Sequence, residues 1–313
     1  MLGYLLRKLL HSLLLILGVT LVSFALMVYF GPDQTYKLLG KSASTEHIQE
    51  IRQQLGYDRP FIRRYGEYLG DLFTLQLGAS NSNGEAVSDI LKRTLPVTLA
   101  LLVPGFILGN VLGVALGLLA AWHRNRWIDR IISSASIAGM STSFLIIIIV
   151  LQVVLCTPYG LNLFPARGWQ VTGLASYLNY VTVPSLSLVL ITLGYNTRFF
   201  RAIFLEESGR EHIRAARAFG ASPAQLMGRH VLKNSLPPLL TRVLFSIPLV
   251  IVSGSLLLET YFGIPGMGKI TFDAITNGDQ PVLKAVVGLT AIMFVMVQAL
   301  AGMSYRLIDP RVS

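Results

Sequence analysis

Six long apolar runs decide what this chain can fold into: Leu9 to Tyr29, Pro96 to Ala121, Ile131 to Thr157, Val181 to Phe200, Leu236 to Leu258 and Val282 to Tyr305. A helix of about 20 apolar residues crosses a bilayer, and each run is long enough to do so. Only 13% of the 313 residues are charged, against about 25% in soluble domains. The sequence therefore predicts an all-α, polytopic membrane protein with six transmembrane helices. The first run follows Arg7 and Lys8, as a signal peptide would. It is too long for that, and no small-x-small cleavage site closes it before Gly31, so it is expected to stay as a span. The lone cysteine, Cys156, lies inside the third run and excludes an internal disulfide.

A net charge of +10 would suit a nucleic-acid partner, but basic residues retained in cytoplasmic loops explain it better. With the N-terminus inside, one side holds Arg7 and Lys8, then Arg124, Arg126 and Arg130. It also holds Arg198, Arg201, Arg210, Arg214, Arg217, Arg229 and Lys233, and finally Arg306 and Arg311. The short loops of the other side hold Arg167, Lys269 and Lys284. The segment Gly31 to Leu95 is longer than the ~60 residues over which the rule counts. Trp122, Trp127 and Trp169 stand beside span ends, where an interfacial belt belongs. The expected orientation is N-in, C-in, with no nucleic acid involved.

The spans lack chemistry. The second and third contain no ionisable residue, and Arg198, Arg242 and Lys284 stand near span ends, from which long basic side chains reach the interface. Glu259 opens an outer loop in this reading. A proton- or sodium-coupled carrier needs buried titratable groups. An intramembrane hydrolase needs paired carboxylates, a His-Glu-x-x-His run or a serine with a histidine. Neither pattern is met, and no metal site is expected. Energy for uphill transport must come from outside the bilayer.

Small and hydroxylic residues mark the second and third spans. Gly109, Gly113 and Gly117 recur every four residues, a spacing that brings helices together; internal packing and a role along a pore are the two readings. Pro104 and Pro248 are expected to kink their helices. Ser141, Thr142 and Ser143 either bond back to their own helix or line a wet pathway. "GIPGMGKI", Gly263 to Ile270, approaches the phosphate-loop pattern. It places Ile270 where the Mg²⁺-holding hydroxyl belongs, follows no strand and faces outward, so ATP binding is rejected.

Between the fourth and fifth spans lies "EHIRAARAFGASPAQLMGRHVLKNSLPP", Glu211 to Pro238. Ser208 with Glu211 reads as a capping box, Gly220 as a left-handed C′ residue, and Ser222, Pro223 and Gln225 as a second capped start. The second helix is expected to run to Asn234, with Pro237 and Pro238 marking the start of the fifth span. The pattern is helix, elbow, helix, with Arg214 and Arg217 neighbours on one face. The residues fit a protein dock and also a basic loop lying on anionic lipid.

This stretch resembles the EAA loop of ABC importer permeases, in the version found in the dipeptide, oligopeptide and nickel permease family. Ala215, Ala216 and Gly220 match that family's Ala-Ala-x-x-x-Gly core, with Arg217 between. The general pattern ends in Leu-Pro, where Leu232 and Lys233 stand, a departure shared by the peptide branch. "LGYDRPFIRRY" from Leu55, "LPVTLALLVPGFILGNVLGVALGLLAA" from Leu95, "ETYFGIPGMGKITFDAITNGDQPVL" from Glu259 and the terminal "LIDPRV" are similar to family segments in the same order. Two positions depart. Gln34 follows Gly31, Pro32 and Asp33 where the family has a second proline, and Thr142 follows Ser141 where it has a proline.

The resemblance implies a type I ABC importer permease fold with residues 1–30 as stub and first helix, 31–95 as a periplasmic segment and 96–313 as a five-helix core. It implies a bacterial inner-membrane location and a non-catalytic subunit forming half of a pathway for di- or oligopeptides. Nickel, metallophore or peptide-antibiotic uptake is the alternative within the family. A passive channel or scaffold without an ATPase is the rival from another class, and a membrane enzyme a third. Implied partners are a second permease, two cytoplasmic ATPases carrying ATP-Mg, a periplasmic or lipid-anchored solute-binding protein, peptide and lipid. The chain itself binds no cofactor in this reading. The coupling loop would be 206–235, with Arg214, Ala215, Ala216, Arg217, Gly220, Ser222 and Pro223 at its centre. Glu259, Pro265, Gly266, Gly268 and Asp279 are candidates for an outer gate or binding-protein contact, or simply for a structured turn. The run Glu46 to Leu55 is expected to lie along the outer surface.

Overall fold

Backbone amides and carbonyls have no water to bond in hydrocarbon, so an apolar run of this length closes its own hydrogen bonds as helix. A computed structural model describes residues 2–30, 49–50, 53 and 58–308. Its helices are α1 Leu2–Phe30, α2 Phe61–Thr74, α3 Val87–Trp122, α4 Trp127–Ser141, α5 Phe144–Cys156, α6 Leu174–Ser208, α7 Glu211–Ala218, α8 Pro223–Phe262, α9 Met267–Asn277 and α10 Gln280–Ile308. An isolated antiparallel bridge joins Ala79 and Ala86. The run Glu46 to Leu55 lies for the most part outside the described residues. So do Gly31 to Gln34, Arg311 and the side chains of Arg7, Lys8 and Arg306.

Helices α1, α3, α6, α8 and α10 are each long and apolar enough to cross a membrane, and α4 with α5 together have the length and apolarity of a sixth span, as a broken crossing or a re-entrant loop. This pair is not the continuous third span expected over Ile131 to Thr157: it bends by 99° between α4 and α5. Thr142 and Ser143 take extended backbone there. The hydroxyls of Ser141 and Thr142 donate to Ile137 O and Ala138 O, each at 2.9 Å, satisfying carbonyls of the interrupted turn. Nor does the fifth span start at Pro237. Helix α8 runs through Pro237, Pro238 and Pro248, with π-helical stretches at Leu226–Val231 and Val250–Gly254. The prolines withhold amide donors without ending the helix, and Thr241 Oγ1 adds a bond to Pro237 O at 2.8 Å. Pro104 lies within the continuous helix α3.

The chain divides into two units. In the first, residues 1–96 and 269–296, α1 packs on α2 through aromatic rings. Phe24 stacks on Tyr68 at 5.3 Å, and the Tyr65 hydroxyl donates to Leu17 O at 2.9 Å. The Tyr68 hydroxyl donates to Lys284 O at 3.1 Å. Burial, helped by neighbouring Tyr65, pushes its pKa up to about 12, so it remains a neutral donor.

The second unit, residues 97–268 and 297–313, is organised by close helix approach. A Cβ at Gly105 would stand 2.9 Å from Ser185 O, one at Gly113 3.0 Å from Asn196 Cβ, and one at Gly117 3.0 Å from Phe200 Cβ; one at Gly109 would strike Thr192 Oγ1. The glycine stripe of α3 thus lies against α6, which makes internal packing the reading that holds for Gly109, Gly113 and Gly117. One polar bridge crosses this seam, where Asn196 Nδ2 donates to Asn110 Oδ1 at 2.9 Å. On its other side α6 admits α4 at Gly194, where a Cβ would stand 2.9 Å from Met140 N.

Candidate functional site

The elbow after α6 is a polar segment held by several local hydrogen bonds. Helix α6 ends at Ser208, α7 begins after Arg210, and α8 begins after Ser222. The expected Ser208–Glu211 capping box does not form. Ser208 is still inside α6, and its hydroxyl donates back to Phe204 O at 2.5 Å. The helix persists that far because Phe200 and Phe204 are both fully buried beneath the elbow. Arg210 occupies the N-cap of α7 in extended conformation, with no side-chain cap.

Both later signals are realised. Gly220 takes φ +86°, its N–H donates to Arg217 O at 3.0 Å, and the Ala221 N–H reaches Ala216 O at 3.1 Å. That pair of bonds is a Schellman motif. Gln225 N–H donates to Ser222 Oγ at 3.3 Å and Ser222 N–H to Gln225 Oε1 at 3.0 Å, with Pro223 in the first turn. The turn between α7 and α8 is thus tied by backbone bonds at one end and by a side-chain capping box at the other.

Ile213, Leu226, Met227 and Val231 anchor the elbow on Phe200, Phe204 and Leu239. Glu207 is buried at its base, with Arg210 Nε 3.0 Å and His212 Nε2 3.1 Å from its carboxylate. Ala215 is exposed whereas Ala216 turns inward onto the apolar cluster, so the two do not form one flat face. Arg214, Arg217, Ser222 and Pro223 point to solvent. A cleft of about 570 Å³ opens beside Arg217, Ala221 and Pro223, with Arg124 of the α3–α4 loop at its edge.

Sequence reasoning missed Phe219, which is 91% exposed at the tip of the elbow. Helical spacing from Ile213 and Ala216 would turn residue 219 inward. It is instead the C-cap, where the chain leaves the helix, and its ring is thrown outward. The signal available was an aromatic residue directly before a C′ glycine in an otherwise polar turn.

The other candidates fall in separate places. Glu259 does not open a loop: it lies in the last turns of α8 and is fully buried. Its carboxylate accepts from Thr98 Oγ1 at 2.6 Å and from Gly268 N–H at 2.6 Å, while Thr98 Oγ1 accepts from Met267 N–H at 2.8 Å. A Cβ at Gly266 would run into that carboxylate, and one at Gly268 into the backbone of Ser255 and Leu256. Pro265 alone of the group faces solvent. The apparent phosphate loop is thus a helix N-terminus already filled by the chain's own carboxylate. Asp279 belongs to the first unit, where its buried carboxylate accepts from Ser80 Oγ and from the N–H groups of Asn81 and Ser82 at 3.2 Å each. It fixes the Ser80–Gly84 turn. Both carboxylates are spent internally, so a partner meeting these loops would touch other atoms. Ser141 and Thr142 bond to their own helix, as above, and Ser143 is exposed at the start of α5.

This helical arrangement is the fold of an ABC importer permease. The chain superposes on a subunit of the methionine ABC transporter MetNI in inward-facing form with a TM-score of 0.56, at 21% identity, covering 70% of this chain and 96% of that one. Residues 113–313 match the family described as binding-protein-dependent transport system inner membrane component, and residues 1–102 match its N-terminal membrane-component family. The chain belongs to the binding-protein-dependent transport system inner membrane component family. It is a multi-pass, non-catalytic permease subunit. A putative peptide transport system permease of Brucella abortus is 30% identical over all of this chain and 99% of its own. The dipeptide transport system permease of Alkalihalophilus pseudofirmus is 27% identical and the glutathione transport system permease of Escherichia coli 28%, each over 100% of this chain and 99% of the relative.

Proposed function

We propose that this chain imports di- or oligopeptides, forming half of the pathway with a second permease. Its orientation is N-in, C-in, and its elbow, residues 206–235, docks on cytoplasmic ATPases that carry ATP-Mg. A periplasmic or lipid-anchored solute-binding protein delivers the peptide. The observation that carries this reading is the elbow: a turn fixed by a Schellman motif and a capping box holds an exposed ring, Phe219, between Arg214 and Arg217 and the start of α8. An exposed aromatic flanked by arginines has the composition of an interface anchor. A rigid elbow continuous with two spanning helices transmits a push, whereas a loose loop would absorb it. Peptide as cargo follows from the names of the relatives.

Copurification of the native transporter tests this. The wild-type chain should bring down a subunit with a true phosphate loop and a sibling permease, and Phe219→Asp should lose the ATPase while keeping the sibling. Uptake of a labelled dipeptide should fall with it. Retention of the ATPase by Phe219→Asp would remove the elbow from the interface.

A further inference from the structure

In the first unit, a groove of about 380 Å³ runs between α1 and the start of α10. Its walls are Phe24, Leu26, Met27 and Phe30 from α1, with Leu283 and Val287 from α10. Leu26 and Phe30 are 55% and 83% exposed, inside the apolar segment that makes α1 a membrane span. The groove therefore opens where lipid chains lie. At its floor is one charge, Lys284. Its Nζ sits over the Phe24 ring at 5.6 Å.

Among the described residues no carboxylate lies within ion-pair distance of that ammonium. The nearby charged groups all come from α2: Arg64, Glu67 and Asp71. Glu67 is engaged by Arg59 at 2.8 Å and Arg63 at 3.3 Å. The aromatic face offers partial compensation, but a half-buried cation at the edge of hydrocarbon takes an anion where one is at hand. The side chain also borders a smaller, more polar cleft with Asp71 and Gln76. The ammonium thus stands between an apolar trough and a wet one, the disposition of a phospholipid at the interface.

We propose that the α1–α10 groove is a binding site for one anionic phospholipid, its acyl chain along Leu26, Phe30 and Val287 and its phosphate on Lys284. Phosphatidylglycerol fits where phosphatidylethanolamine and phosphatidylcholine fit less well, because only the first carries net negative charge to the lysine. The site does not depend on the cargo or on the ATPase.

The test is native mass spectrometry of the assembled transporter from nanodiscs of phosphatidylglycerol or phosphatidylcholine with matched acyl chains. Wild-type protein should retain phosphatidylglycerol with about tenfold preference, the scale of one charge-assisted contact. Lys284→Gln should abolish the preference and Lys284→Arg should keep it. Leu26→Trp, which fills the trough without touching the charge, should reduce retention of both lipids. Equal retention of both lipids by wild type, or an unchanged preference in Lys284→Gln, would overturn the proposal. So would displacement of the preference by inorganic phosphate alone, which would reduce the site to an anion contact. Crosslinking of Leu26→Cys to the sibling permease in high yield, with no lipid retained, would overturn it as well and assign the groove to a subunit contact.

Discussion

Arg201 of α6 grips Asp129 of α4 side-on, with Nε 2.6 Å from Oδ1 and Nη2 2.8 Å from Oδ2. Asp129 is 3% exposed and also accepts from Asn125 N–H at 2.9 Å and Ser133 Oγ at 3.2 Å. The carboxylate is saturated. Asp129→Asn leaves a guanidinium facing a neutral amide, and breaking a buried pair from one side costs about 3–5 kcal/mol. The lower end applies, because the Arg201 side chain keeps 27% exposure. Thermal melting in detergent should show the loss, and the exchange Asp129→Arg with Arg201→Asp should recover part of it. An unchanged melting temperature in Asp129→Asn would mean the pair carries no stability.

Gly220→Val places a β-branched residue at φ +86°, a cost of order 1–3 kcal/mol. A Cβ there meets nothing within contact distance, so the penalty is purely conformational and local. The protein should still insert in the membrane, while ATP hydrolysis becomes uncoupled from uptake. Reconstituted vesicles measure both quantities, and wild-type coupling in the variant would contradict the lever role of the elbow.

Ser222→Ala removes one capping bond from the start of α8 and should lower stability by about 1 kcal/mol. Hydrogen exchange at Ala224 and Gln225 should quicken, with the rest of α8 unaffected. Protection equal to wild type would show that the cap is redundant with the Schellman turn before it.

Glu259→Ala strips partners from Thr98 Oγ1 and the Gly268 N–H, each buried, at about 1–3 kcal/mol per group left unsatisfied. Gly266→Ala is destabilising for the opposite reason, since the new methyl meets the carboxylate. The double variant should cost less than the sum of the two, because the collision disappears with the carboxylate. Strict additivity in a melting cycle would count against the packing described.

Gly109→Leu should also be destabilising. It forces α3 away from Thr192 of α6 along a seam that has no slack, and overpacking of this kind costs about 1–3 kcal/mol or more. Loss of folded protein from the membrane fraction is the readout, with Gly18→Leu, in open space on α1, as the control that should be tolerated.

Much of this was legible in the sequence because hydrocarbon is an undemanding reader: apolar length gives a crossing, and five of the six expected runs form helices long enough to cross, the sixth a bent pair. What apolar length does not report is where a helix stops. The expected second span began at Pro96, yet α3 begins at Val87, because turns outside the slab cost nothing to keep helical. Pro237 and Pro238 read as punctuation, yet α8 continues through both. At the elbow, Gly220 and Ser222 were legible because each has a local stereochemical reason. Ser208 misled because a hydroxyl caps a helix or bonds back inside one with equal ease, and only the burial of Phe200 and Phe204 decides. Glu259 and Asp279 were singled out together, but they are 20 residues apart in a chain that uses each to fasten a different turn. No local pattern states which amides a carboxylate will find.

The glycine seam has a mechanical corollary. With glycine at every fourth position from Gly105 to Gly117, α3 lies so close to α6 that little room is left for the two to slide past each other. A gate in this protein would flex more readily elsewhere. The two-residue gap at Thr142 and Ser143 and the wide turns of α8 at Leu226–Val231 and Val250–Gly254 are the hinges left to it.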